Sequence, residues 1–367
     1  MADTKRVDIG GQAVLEGVMM RSPDAVAISV RRPNGDIVVS RKDYHPVSEK
    51  HPILGKPVIR GAVSFVMMLK LGMETLEESS RMLGTPQEEP SKFEKWLAAK
   101  LGKSIDKVVM GVALVLALAL SVGLFVLLPN LPTEPLRNAG WSPVAINLIC
   151  GLIRIIILLG YMGLCGLIPD MKRTFMYHGS EHKTVFCHEH NLPLTAQNAQ
   201  QFSTLHPRCG TSFLLITFVL SILLFSVIDY LLLPLGIDVQ GNYFLKILVR
   251  LLFLLPVTGV SFEVLKGLAH NDSKVCRVLR GPGLALQHLT TRQPTDDMCD
   301  VAICSINAPL YHGIKLLKVG IRQRFIPRYL QIKPAHAKET GQQPFRVLRC
   351  IGHPGIGKNP PCPGKCL

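Results

Sequence analysis

Val108–Leu128 reads VVMGVALVLALALSVGLFVLL, twenty-one residues without a charge. About 20 apolar residues at 1.5 Å each cross a hydrocarbon core of about 30 Å, so the stretch predicts a membrane-spanning helix. Three more runs share that length and character. Val144–Ile168 carries only Arg154, Ser212–Leu235 only Asp229, and Phe244–Leu265 carries Lys246, Arg250 and Glu263 around Pro256. Proline is tolerated in such helices when neighbours satisfy the freed backbone groups. Composition agrees: of 367 residues 48% are hydrophobic and only 18% charged, and mean hydropathy is +0.28.

The connections carry the orientation. Pro129–Pro143 holds only Arg137 and Pro234–Tyr243 holds no Lys or Arg, whereas the N-terminal segment and the chain after Leu265 are rich in both. The central segment Pro169–Thr211 holds Lys172, Arg173, Lys183 and Arg208. The positive-inside rule predicts cytoplasmic termini and a cytoplasmic central loop, with two hairpin tips outside. The formal charge of +15 is read as basic segments facing anionic lipid. There is no RNA-binding sheet motif or zinc-finger spacing in the core, so the expected partners are membrane lipids and other membrane proteins rather than nucleic acid. The N-terminal MADTKRVDIGG has no apolar signal, so the first span is expected to act as insertion signal. Ten scattered cysteines suit reduced thiols in a cytosol-facing protein. Within the third and fourth spans, Asp229 and Arg250 each lie six residues from the outer end, about 9 Å deep. An ion pair or snorkelling would accommodate them. Arg154 has no evident partner.

The expected architecture is a mainly α membrane protein of two helical hairpins with a small N-terminal α+β segment. The segments are an N-terminal cytoplasmic part (1–107), a first hairpin (108–168), a histidine-rich loop (169–211), a second hairpin (212–265), a cytoplasmic segment (266–307) and a tail (308–367). In the first of these, AVAISVRR (Ala25–Arg32) and DIVVSRK (Asp36–Lys42) flank Asn34-Gly35 and predict a β-hairpin. Pro57–Leu83 reads as a helix whose apolar part, Val58–Leu71, is too short to span and suits an interface. Gln87–Lys107 reads as a linker helix. Ile9–Pro23, IGGQAVLEGVMMRSP, reads as a loop packing on the sheet, with Glu16 and Arg21 as charges in want of partners.

Chemistry concentrates in Tyr177–His190, YHGSEHKTVFCHEH. His178-Gly-Ser-Glu181-His182 fits H-x-x-E-H, in which two histidines at i and i+4 share one helix face and one divalent metal, zinc by type, and the glutamate acts as general base. Gly179 weakens the helical reading. The third ligand is open between Glu263, His206 and Cys209, with Glu16 a further candidate. Cys209 beside Arg208 at a helix start is alternatively a nucleophile. The competing reading makes His178 and His182 hydrogen-bonded loop residues near headgroups.

IGGQAVLEGVMMRSP, IRGAVSF, YHGSEHKT, HPRCGTSF, LLPVTGVSFE and LQHLTTRQP occur in this order, and together they resemble the YqhQ-like bacterial membrane proteins. These carry a domain of unknown function and are labelled metal-dependent enzymes. The resemblance covers roughly residues 6 to 307. It implies a bacterial inner-membrane protein and a metal-dependent activity; with the H-x-x-E-H spacing, the expectation is a hydrolase-like enzyme with Glu181 as base, and a scaffold or accessory subunit of a transport or lipid-handling complex is the alternative. The chain departs from the family at Gln293 and Asp300, where glutamates are usual. The tail resembles nothing and reads as disordered, although Cys350, His353, Cys362 and Cys366 are of zinc-ligand type.

Overall fold

The computed structural model describes residues 9–46, 51–84, 105–236, 239, 242–271, 273–310, 330–331 and 348–350. The chain opens with an antiparallel meander: β1 (Gly10–Val14), β2 (Gly17–Arg21), β3 (Ala25–Arg31) and β4 (Ile37–Asp43). The predicted hairpin is β3–β4, paired from Ala25↔Asp43 to Arg31↔Ile37 around the Asn-Gly turn. Ile9–Pro23 is not a loop on that sheet but a second hairpin within it, Gly10↔Arg21 to Val14↔Gly17, and β2 pairs with β3. Two short strands of the tail, β5 (Leu330–Gln331) and β6 (Leu348–Cys350), extend the sheet beyond β4. The rest of the tail, with His353, Cys362 and Cys366, lies outside the described residues, as do 87–104 of the expected linker helix.

The strands are apolar on both faces because helices cover both. On one face Val14, Met19, Val26, Ile28, Val30 and Val38 pack with Met82 and Leu71 of α1 (Ile59–Leu83). On the other, Val18, Met20, Ile37 and Val39 pack with Tyr177 and Val185 of α4 (Pro169–Glu189) and Val301 and Ile306 of α8 (Asp296–Leu310). Each such buried aliphatic side chain contributes about 1.5–3 kcal/mol. Ser305 of α8 is buried without loss because its hydroxyl donates to the Val18 and Ala27 carbonyls at 2.9 and 3.0 Å.

Four stretches are long and apolar enough to cross a membrane: Gly111–Asn138, Pro143–Cys165, Gly210–Leu235 and Phe244–Leu268. They fall on α2 (Ile105–Val122) with the turns that follow it, α3 (Pro143–Cys165), α5 (Gly210–Leu232) and α6 (Tyr243–His270). The expected buried charges are accommodated between them. Arg250 donates to both carboxylate oxygens of Asp229 at 2.8 and 2.7 Å, Asn147 donates to the same group at 2.9 Å, and the guanidinium lies 4.2 Å from the centre of the Phe225 ring. Arg154 donates to the Phe125 carbonyl at 3.1 Å. Phe125 sits in a π-helical turn, Gly123–Leu127, where α2 widens. Such turns leave carbonyls without their usual helical donors, which accounts for the partner that the sequence did not reveal.

The segment between the hairpins is largely ordered helix. Pro169 at the first position and Asp170 in the first turn start α4, and the histidine-rich motif lies in its middle. α7 (Lys274–Thr290) follows α6 and packs on α5.

Candidate metal centre

Gly179 lets α4 carry the motif. A Cβ there would collide with the Arg292 carbonyl just after α7, and the strand-like segment is tied in turn by the Arg292 N–H to the Phe175 carbonyl at 2.9 Å. His178 and His182 therefore share one face of α4, with ring centroids 4.5 Å apart. The Nδ1 of His178 lies 2.8 Å from the Thr290 carbonyl, and that of His182 lies 2.5 Å from the Thr204 carbonyl. A carbonyl can only accept, so each Nδ1 carries the proton and each Nε2 keeps its lone pair. This is the arrangement by which metal-binding histidines are oriented.

The Nε2 of His178 is 3.3 Å from the Cys209 sulfur. The Nε2 of His182 is buried and has no hydrogen-bond partner. These two atoms and the sulfur all lie within 4.8 Å of one another. Cys209 caps α5, its sulfur accepting from the Thr211 N–H at 3.4 Å. Two neutral imidazoles and a thiolate form a donor set suited to zinc, which keeps a fourth position open when only three protein ligands bind. The buried Nε2 of His182, which interacts with the Cys209 sulfur but makes no hydrogen bond of ordinary geometry, is the observation that the set fits an ion. Burial also pushes the His182 pKa down, keeping its ring neutral.

The other predicted residues fall around this group. Glu181 is 6% exposed; its carboxylate lies 3.9 Å from His178 Nε2 and accepts the Gly11 N–H. Burial raises its pKa, with His178 and His206 opposing. β1 reaches Glu181 because Gly11 has no side chain: a Cβ would lie 2.8 Å from Glu181 Cγ. His206 is close, its ring 5.6 Å from that of His182. Its Nδ1 accepts the Arg208 N–H at 3.3 Å, which leaves the proton on Nε2, the atom 3.6 Å from Glu189. Arg208 also pairs with Glu189. Burial drives the His206 pKa down to about 4, with Glu181 opposing.

Glu263 is engaged elsewhere. Both its oxygens accept from Arg60 of α1 at 2.7 and 2.5 Å, and the Val58 N–H donates at 3.3 Å; it is not among the three clustered donors. Glu16, at the β1–β2 turn with φ 49, accepts from Nε and Nη2 of Arg173, each at 2.5 Å, and from the Tyr177 hydroxyl at 3.3 Å. Arg21 stacks on Tyr44 at 4.3 Å.

Sequence reasoning gave no role to Gln287, which is fully buried on α7. Its amide accepts the His206 N–H at 2.7 Å and donates to the His206 carbonyl at 2.8 Å and to Ser212 at 3.0 Å. Lys183 is likewise buried, and its ammonium donates to the Gln200 and Phe202 carbonyls at 2.9 and 2.5 Å. These two side chains fix the loop that bears Thr204 and Cys209. A polar residue on the inward face of an amphipathic helix was the available signal for Gln287.

Four apolar helices of spanning length, a sheet layer at one end and a His-His-Cys donor group at their junction define a helical protein with a candidate metal centre. The chain belongs to the family described as Protein of unknown function (DUF1385), whose profile matches residues 56–311. It is 34% identical over 310 residues to "Uncharacterized protein YqhQ" of Bacillus subtilis (strain 168), covering 81% of this chain and 91% of that protein. No solved structure matches the chain. The matched residues 56–311 include all three donors and the four apolar stretches.

Proposed function

We propose that the protein is a multi-pass protein of the bacterial cytoplasmic membrane, with both termini inside, that holds one divalent transition metal of zinc type and works as a metal-dependent, hydrolase-like enzyme at the cytoplasmic membrane face. The membrane reading is supported by α2, where Leu114, Val115, Leu116, Leu118 and Leu120 are each more than half exposed. Water would not tolerate so continuous an apolar surface, whereas lipid would cover it. Lys and Arg distribution supports the orientation.

The observation that carries the metal reading is the convergence of two carbonyl-anchored imidazoles on one thiol, with His182 Nε2 buried and without a hydrogen bond of ordinary geometry. His178, His182 and Cys209 would hold the ion, which supplies Lewis acidity and acidifies water at neutral pH. Glu181 is the proton acceptor: it is buried beside His178, and burial moves its affinity for a proton toward the working range of a base. An amphiphilic or membrane-tethered substrate suits a site beside the apolar helices.

A second reading has one observation in its favour. The donors, with Thr204 and Thr290, join α4, the start of α5 and the end of α7, so the ion would also staple these elements in a non-catalytic scaffold. Glu181→Gln separates the two. It keeps shape and removes basicity, so an enzyme loses function in a complementation assay while its metal content stays at wild-type level. Full complementation by Glu181→Gln would leave the stapling role alone.

A further inference from the structure

We propose that α7 is an interfacial helix that gathers anionic phospholipid headgroups beside the metal centre. The inference rests on the membrane reading above. α7 divides into three sectors. Its inward sector, with Gly283, Gln287 and Thr290 buried, packs on α5 and holds the His206 loop and His178. A second sector, Val275, Val278, Leu279 and Pro282, follows the i, i+3, i+4, i+7 spacing of one helix face. It faces outward, with Val275 68%, Val278 73% and Leu279 53% exposed. The third sector carries Lys274 and Arg277, one turn apart and both exposed.

An apolar strip flanked by a basic strip, on a helix that already has a protein-facing side, is the pattern of a helix lying in a membrane interface. Charge complementarity selects the lipid. From Val264 to Thr295 the sequence holds Lys266, Lys274, Arg277, Arg280 and Arg292 against one acidic residue, Asp272. Position gives continuity: α7 begins four residues after His270 ends α6, whose apolar stretch reaches Leu268. The apolar sector would meet acyl chains and Lys274 and Arg277 the phosphates, while the opposite side of the same helix orients the candidate ligands.

The test is hydrogen exchange of residues 275–282 in the full chain, reconstituted in nanodiscs of phosphatidylcholine alone or mixed with phosphatidylglycerol. We expect slower exchange with phosphatidylglycerol. The phosphatidylglycerol content giving half-maximal protection should rise about fivefold for each cation removed, in Lys274→Gln and in Lys274→Gln/Arg277→Gln. Val278→Lys should weaken protection in both lipids. Retained metal content in each variant reports that the protein is folded. Equal protection in the two lipids, protection insensitive to both glutamine substitutions, or protection that scales with chains per disc would overturn the proposal, the last by assigning the face to a second copy. Wild-type protein that stays dispersed without detergent and does not enter discs would instead remove the membrane reading.

Discussion

At the scale of single residues, the candidate centre is decided by where protons sit on three imidazoles. His178 and His182 each give Nδ1–H to a carbonyl and leave Nε2 with its lone pair; His206 accepts at Nδ1 and so carries its proton on Nε2, buried without a hydrogen bond 3.6 Å from Glu189. Burial holds His206 neutral, with a pKa of about 4 against an ordinary 6.5. The unfolded chain thus takes up this proton near pH 6.5 and the folded chain only near pH 4. Stability is whole above pH 6.5 and declines as the pH falls through that window, by on the order of 3 kcal/mol in full. Glu181 runs oppositely: its raised pKa favours the folded state at acid pH, and that contribution is lost as pH rises. The difference between wild type and His206→Gln isolates the histidine. Unfolding temperatures measured from pH 7 to pH 4.5 should fall less steeply in the variant.

The H-x-x-E-H spacing was legible, and Cys209 stood among the candidates for third ligand. The choice among Cys209, His206 and Glu263 was not legible. It depends on carbonyls at Thr204 and Thr290, the latter 112 residues from His178, and on Arg60 taking up Glu263. No spacing rule reports either.

At the scale of elements, two close crossings set the site. α4 can lie against the segment after α7 only because position 179 is glycine. Gly179→Ala should destabilise the protein by about 1–3 kcal/mol, since the Arg292 carbonyl it meets is backbone and is held by its own N–H to Phe175. A thermal melt in detergent would show this, and an unchanged melt would mean the crossing is looser than described. Between α5 and α6, Asp229→Ala should cost about 3–5 kcal/mol by leaving the half-buried Arg250 without its carboxylate, and Asp229→Ala/Arg250→Leu should recover much of that loss. A double-mutant cycle measures the coupling.

Among the elements, the four apolar stretches and the β3–β4 hairpin were readable because each has a strong local signal: unbroken hydrophobicity, or alternation around Asn-Gly. β1–β2 was missed because its turn, Leu15-Glu16, lacks such residues, and Glu16 adopts a left-handed φ of 49 that tertiary contacts with Arg173 and Tyr177 support. α4 was partly masked by Gly179, although Pro169-Asp170 was a usable start signal. The pair Asp229–Arg250 could be foreseen from equal depth in adjacent helices, whereas Arg154 could not be paired because its acceptor is a backbone carbonyl in a π turn.

At the scale of the whole molecule, the sheet layer and the apolar helices are not separate halves joined by a loop. α4 packs on the sheet through Tyr177 and Val185 and presents His178 and His182 to the start of α5 and the end of α7. Glu181, between those histidines, lies against Gly11 of β1. The resemblance read in the sequence and the matched family agree on membership, but neither says why its blocks belong together. The geometry joins four of them: YHGSEHKT supplies two candidate donors and the carboxylate, HPRCGTSF the thiol, LQHLTTRQP the carbonyl behind His178 and the amide that holds the loop, and IGGQ the glycine that meets Glu181; Arg60 of IRGAVSF and Glu263 of LLPVTGVSFE pair with each other.

The most direct measurement is elemental analysis of the detergent-purified full chain, alongside His182→Ala, Cys209→Ser, His206→Gln and Glu263→Gln. About one equivalent of a zinc-type metal is expected in wild type, His206→Gln and Glu263→Gln, and its loss in His182→Ala and Cys209→Ser. Wild-type protein purified without chelators that carries no stoichiometric transition metal, and that takes up none when zinc is supplied, would contradict the metal reading.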